Sequence, residues 1–284
     1  MDNLIFNGTA PGAFATVAGN QIHYRLFLSK SQTTFILEPG LTLTSSVWAW
    51  LAPELAREHT VLIYDRAGLG WSEEREGIRD ARQIATELHE LLHSLALPRP
   101  FTLVGHSMGA LFVRAYHLLY PQEVASLILL DPSHPRQMEL SRGIRRKMRN
   151  FFFYLETASL LSRANLIKDW HGSPLAAPVN LLPAAEASHL RAFFQSPGHL
   201  RTSAREARSW KQSADFVHQQ KPPAIPVTII SAQKHAMPGW IDLQHELARN
   251  LHARHHLLTH ASHMTLLTDQ SLALRVASEI LSDR

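Results

Sequence analysis

The chain has 284 residues, 45% of them hydrophobic, no cysteine, and a formal charge of +4 at pH 7. Such a length holds one large α/β domain, or a domain carrying one big insertion, and the apolar fraction is ample for a packed core. Without thiols there is no disulfide framework and no cysteine for zinc or catalysis. Residues 1–8 have no basic start and no long apolar segment, and no run elsewhere approaches a membrane span, so the expectation is a cytoplasmic protein with no stable membrane insertion.

Short apolar runs recur along the chain, and helical patterns separate most of them. Residues 21–27 alternate as an early strand, and 33–37 form a second, buried run. Val47, Trp48, Leu51, Leu55 and Ala56 stand at helical spacing, which predicts a helix over 45–58. A strand at 60–64 and a helix at 80–95 follow, then a strand at 101–105, a helix at 110–120 stopped by Pro121, and a strand at 126–130. Beyond Asp131 the alternation stops. Up to about residue 223 the pattern is helical and irregular, broken by Pro132, Pro135, Pro174, Pro178, Pro183 and Pro197. It resumes with a strand at 226–230, a helix at 242–251, a strand at 255–259 and a final helix at 265–281. Strands alternating with helices imply right-handed crossovers and a mostly parallel, doubly wound α/β sheet. The chain thus divides into a core, residues 1–131 and 224–284, and a helical cap, residues 132–223, inserted between two strands of one continuing sheet.

Within that cap, Arg142-Gly-Ile-Arg-Arg-Lys-Met-Arg149 is followed by Phe151-Phe-Phe-Tyr154. Such a segment could bind phosphate groups or lie on an anionic membrane surface. We read it as an amphipathic helix whose basic face is solvated and whose aromatic face packs on the protein.

Gly105-His106-Ser107-Met108-Gly109 falls between a strand and a helix. A serine on so sharp a turn is held in a strained backbone conformation, and the flanking glycines let neighbouring backbone pass. Its Oγ then projects at the carboxyl edge of the sheet, where open parallel sheets bind ligands. A serine hydroxyl attacks only when a base removes its proton, and the base needs a carboxylate to orient it and stabilise its charge. His263, between the last strand and the last helix, suits the chain order Ser, acid, His. The Met108 N–H, next after the serine, is one donor for a developing oxyanion.

The pentapeptide, the Asp65-Arg-Ala-Gly-Leu-Gly-Trp-Ser72 turn and the His263 loop together resemble the α/β-hydrolase superfamily, over the whole chain apart from the cap. The resemblance implies an acid after the strand that follows the cap, in a segment like Gly-x-x-Asp. Here that segment is Ser231-Ala-Gln-Lys-His235, with histidine in the place of aspartate. A subset resembling the haloalkane dehalogenases places its acid at the end of the strand next after the nucleophile strand. Here that residue is Asp131, which we take as the acid, with Asp242 and Glu246 as fallbacks. The resemblance also implies a second oxyanion donor where the family usually has His-Gly-x. This chain has Pro39-Gly40-Leu41, so the donor is the Leu41 N–H. Glu38 beside this loop is read as a structural partner of Arg66, because a free negative charge there would oppose an oxyanion. Trp48, Trp50 and Trp71 either line an apolar pocket or pack in the core.

His89-Glu-Leu-Leu-His93 also fits the H-E-x-x-H pattern of zinc proteases. The apolar stripe Ile84, Leu88, Leu91, Leu92 and Leu95 leaves both histidines off the buried face, so a zinc site is rejected and no cofactor is expected. The implied reaction is ester hydrolysis through an acyl-enzyme, as in a carboxylesterase, on a small ester-like molecule, with no nucleic-acid partner. Lactones, amides including aminopeptidase substrates, carbon-carbon cleavage and perhydrolysis stay open, as does a binding protein that kept the hydrolase fold. A serine nucleophile excludes the dehalogenase and epoxide-hydrolase mechanisms, whose relatives attack with aspartate. The oligomeric state is not readable.

Overall fold

Four segments are buried along their whole length: Thr34–Glu38, Thr60–Tyr64, Phe101–His106 and Val227–Ala232. Strands covered by helices on both faces read in this way, as near-continuous apolar runs. The computed structural model describes residues 9–31, 33–163, 176–218 and 222–283. Its strands are β1 (Ala13–Val17), β2 (Asn20–Phe27), β3 (Thr34–Glu38), β4 (Thr60–Tyr64), β5 (Phe101–His106), β6 (Val124–Leu130), β7 (Val227–Ala232) and β8 (Arg254–Leu258). They form one sheet in the order β1-β2-β4-β3-β5-β6-β7-β8. The β1/β2 and β2/β4 pairs are antiparallel, and all the others are parallel. From β3 the chain crosses to β4 on one side, then returns past β3 to β5 on the other. That reversal opens a crevice at the carboxyl ends of β3 and β5, and the loops that leave them carry Gly40-Leu41 and Ser107.

Alternate side chains of each central strand feed different cores. Ile36, Leu62, Leu103 and Leu129 pack with Ile84, Leu88 and Leu91 of the Ala81–Ser94 helix and with Leu111, Phe112 and Ala115 of the Gly109–Leu119 helix. Phe35, Leu37, Ile63, Val104 and Ile230 pack on the opposite face with Leu51, Leu55, Val276 and Ile280.

Two predicted helices are broken, and β1 was not foreseen. Residues 45–58 form a 3₁₀ turn, Ser45–Trp48, and a separate helix, Leu51–Leu55. Pro53 has no N–H to continue a helix begun at 45, but fits the first turn of one begun at 51. The last predicted helix divides into Thr265–Thr268 and Gln270–Ser282 because Asp269, extended at φ −85° and ψ 125°, accepts from the Leu272 N–H and starts a new helix. β1 is a short edge strand, exposed at Ala13, Phe14 and Thr16, with too few buried positions to leave a pattern.

Between β6 and β7 the main helices are Arg142–Arg163, Ala184–Phe193, Pro197–Arg208 and Trp210–His218, and no strand occurs among the described residues. Residues 164–175 and 219–221 lie outside the described set. The Arg142–Arg163 helix departs from expectation on its aromatic side. Phe151 and Phe152 are half-buried as foreseen, but Phe153 and Tyr154 are exposed. At about 100° per residue, four consecutive aromatics cannot share one face. No helix among the described residues is long and apolar enough to cross a membrane.

Candidate active site

Ser107 follows β5 with φ +54°, a conformation costly for any residue with a side chain. Surrounding backbone holds it there. Its N–H donates to the Leu130 carbonyl at 3.0 Å, and its carbonyl accepts from the Ser133 N–H at 2.9 Å. Both motif glycines are required by close approach. A Cβ on Gly105 would stand 2.7 Å from the Gly109 oxygen and from the Ala110 Cα, and one on Gly109 would stand 2.3 Å from the Glu38 oxygen.

The register of β5 and β6 pairs His106 with Leu130, so Ser107 and Asp131 leave adjacent strand ends side by side. His263 arrives from the loop after β8 and bridges them. Its Nε2 lies 3.0 Å from Ser107 Oγ and its Nδ1 2.6 Å from Asp131 Oδ2. The other carboxylate oxygen accepts from the Ala232 N–H at 3.1 Å and the Trp240 indole N–H at 3.0 Å. Burial alone would raise the Asp131 carboxyl. The His263 contact and these two donors outweigh it and hold the group below its ordinary value, so it is ionised near neutral pH. Both ring nitrogens of His263 are thereby engaged. The fallback acids lie elsewhere, on the Trp240–Asn250 helix, where Glu246 is bonded to Arg136 at 2.8 Å.

His106, the second residue of the pentapeptide, is fully buried under this loop. Its Nε2 lies 3.0 Å from the His263 carbonyl oxygen, and the two rings approach to 4.7 Å between centroids. Burial, reinforced by the nearby His263, pushes its pKa down to about 3, so it stays a neutral donor that fixes the loop.

Leu41 and Met108, the foreseen N–H donors, line the same cavity as Ser107 and His263. The loop that presents Leu41 is clamped from behind by Arg66. That guanidinium donates to the Pro39 carbonyl at 2.8 Å, the Gly40 carbonyl at 3.0 Å and Glu38 at 2.6 Å. Its remaining edge grips both oxygens of Glu206, each at 2.8 Å, on the Pro197–Arg208 helix. Arg66, Glu38 and Glu206 are all buried. Burial would lower the arginine pKa, but the two carboxylates raise it, and the Tyr64 hydroxyl donates to Glu38. The expected Glu38–Arg66 pairing is present; the reach to Glu206, 140 positions on, was not foreseen.

The cavity has a volume of about 320 Å³. Phe151, Phe152, Trp210 and Trp240 supply its aromatic walls, and Lys234 and His235 stand at its polar side. Trp48, Trp50 and Trp71 are not among the lining residues: Trp48 is wholly buried in a core, Trp50 donates to the Thr268 carbonyl at 3.0 Å, and Trp71 meets Phe193 edge-on. The Asp65–Ser72 turn is organised by the Asp65 carboxylate, which accepts from the Ser45 N–H at 2.7 Å and the Trp71 N–H at 3.1 Å. In the H-E-x-x-H segment, His89 stacks on Tyr120 at 3.8 Å and contacts Glu123 at 3.1 Å.

A family model described as alpha/beta hydrolase fold matches residues 33–269, and the chain belongs to that family. A fluoroacetate dehalogenase from a Burkholderia species is 32% identical over 135 residues, 45% of this chain and 44% of that protein. The matches span less than half the length of the first curated relatives, at 47%, 44% and 32%. Among solved structures, the epoxide hydrolase CorEH gives a TM-score of 0.74 at 19% identity, over 96% of this chain and 99% of that one. The enol-lactonase from Burkholderia xenovorans LB400 gives 0.73 at 20% identity, over 95% and 98%. These two likenesses are of fold.

Proposed function

We propose that the protein is a serine hydrolase that cleaves carboxylic esters through an acyl-enzyme, in the manner of a carboxylesterase. The observation that carries the reading is the unbroken line from Asp131 through His263 to Ser107 Oγ at 2.6 and 3.0 Å, ending at the wall of a cavity. Ser107 Oγ attacks the carbonyl carbon while His263 Nε2 takes its proton. Asp131 keeps Nδ1 protonated and balances the imidazolium. The oxyanion is met by the Leu41 and Met108 N–H groups, and His263 returns the proton to the leaving alcohol. Water then repeats the sequence on the acyl-enzyme. The helices between β6 and β7 act as a cap whose aromatic side chains hold the organic part of the ester, and about 320 Å³ suits a small molecule.

A fluorophosphonate probe tests this, together with a chain-length series of chromogenic esters run beside lactones and arylamides. Labelling and ester turnover in the parent, both lost in Ser107→Ala, are expected. A folded parent that neither labels nor turns over any ester would leave a ligand-binding protein instead.

A further inference from the structure

The Arg142–Arg163 helix has an inner face and an outer face of unusual composition. Ile144, Leu155 and Ala158 are buried, and Met148, Phe151 and Phe152 line the cavity beside Ser107. A helix that meets only water outside carries polar residues there. Here Phe153 and Leu160 are 64% and 65% exposed, and Tyr154 and Leu161 are 43% and 46% exposed. Residues seven apart fall on one line after two turns, so Phe153 and Leu160 form one line and Tyr154 and Leu161 a second about 100° round the helix, the two bounding one broad outer stripe with Asn150 and Thr157 between them. One further step of seven toward the amino end reaches Arg146 and Lys147, both exposed. Of the nine large hydrophobic side chains exposed among the described residues, four belong to this stripe, which distinguishes it from the single apolar residues normal on any surface.

Charge names the occupant. Arg142, Arg145, Arg146, Lys147 and Arg149 are exposed, and the one acid on the helix, Glu156, is bonded to Arg208 at 3.0 Å. A second copy on the same stripe would bring these cations no acidic partner from its own helix, whose one acid is already paired, whereas anionic headgroups neutralise them. We infer that this helix docks on an anionic lipid surface. Phe153, Tyr154, Leu160 and Leu161 enter the boundary between headgroups and acyl chains, while Arg146 and Lys147 meet the phosphates. The cavity wall is the inner face of the same helix, so a lipid-borne molecule reaches Ser107 without a long passage through water.

Cosedimentation with vesicles of phosphatidylcholine, with and without phosphatidylglycerol, tests the inference without turnover, so its failure leaves the Ser107 chemistry standing. The full chain should pellet with the mixed vesicles at low salt and stay in solution with phosphatidylcholine alone. Phe153→Ser/Leu160→Ser and, separately, Arg146→Glu/Lys147→Glu should each weaken binding by about tenfold or more. Both should leave hydrolysis of a short soluble ester unchanged. No binding to mixed vesicles, or binding unaffected by both pairs, overturns the inference. So does a dimer in size-exclusion chromatography that Phe153→Ser/Leu160→Ser dissolves, which would assign the stripe to a second copy.

Discussion

Asparagine in place of Asp131 keeps the shape of the side chain and reverses what His263 must do. Asp131 Oδ1 accepts from the Ala232 N–H at 3.1 Å and the Trp240 indole at 3.0 Å. An amide NH₂ turned to that side would face two donors, so the carbonyl oxygen of Asn takes it and the NH₂ points at His263 Nδ1. That nitrogen must then accept, which moves the ring proton to Nε2, the atom 3.0 Å from Ser107 Oγ. The base loses the lone pair that would take the serine proton, and the imidazolium loses its counter-charge. The expected loss in kcat is about 10³–10⁴-fold, about 4–5.5 kcal/mol of barrier, with KM changed by no more than roughly threefold. Because both donors stay satisfied, unfolding should remain cooperative. Steady-state kinetics on a soluble chromogenic ester, beside thermal melts of parent and variant, provide the comparison. A well-folded Asp131→Asn with kcat within tenfold of the parent refutes Asp131 as the acid.

Gly105→Ala has no room to relax, because its Cβ would meet backbone atoms at 2.7 Å; a stability loss of about 1–3 kcal/mol is expected in urea titration, with activity falling alongside. Arg66→Met strands Glu38 and Glu206 as buried acids and should cost about 3–5 kcal/mol, whereas adding Glu38→Gln and Glu206→Gln should recover part of it; equal losses in the two variants would contradict the clamp. Burial pushes His106, His134 and His199 down to about 3, 4 and 4 from an ordinary 6.5, so all three are neutral in the fold above about pH 5. Once unfolded they bind protons near 6.5, so their contribution to stability is full above that pH and is lost as pH falls from about 6.5 toward 4 for His134 and His199 and toward 3 for His106. Unfolding near pH 5 should therefore take up roughly three protons from these residues, and a denaturant midpoint that does not fall between pH 7 and 5 would contradict it.

What was legible in the chain was what repeats locally. Apolar runs such as residues 60–64 and 101–105, bounded by turn residues and helical patterns, mark buried strands, and the two glycines about Ser107, set between such a run and a helical pattern, mark a sharp strand-to-helix turn. Asp131 was visible as a carboxylate ending the strand next after the serine's strand, and it was the resemblance to the haloalkane dehalogenases that singled it out. The donors behind it were not: Trp240 stands 109 positions away, and nothing near it signals that its indole turns toward a carboxylate. The same holds for Arg66 and Glu206, each an ordinary charged residue until folding joins them. Pro53 and Asp269 were legible in principle, since a missing N–H and a capping carboxylate act on their immediate neighbours. Hydrophobic spacing alone passed over both.

The grip of Arg66 on Glu206 bears on how such insertions can be exchanged. The same guanidinium that holds the Pro39 and Gly40 carbonyls is neutralised partly from the Pro197–Arg208 helix. A chimera that grafts a foreign segment over residues 132–223 would leave that cation one carboxylate short, and only Glu38 would then neutralise the group that anchors the loop ahead of Leu41. Any exchange of this segment therefore has to transplant the carboxylate as well, or redesign positions 66 and 206 as one unit.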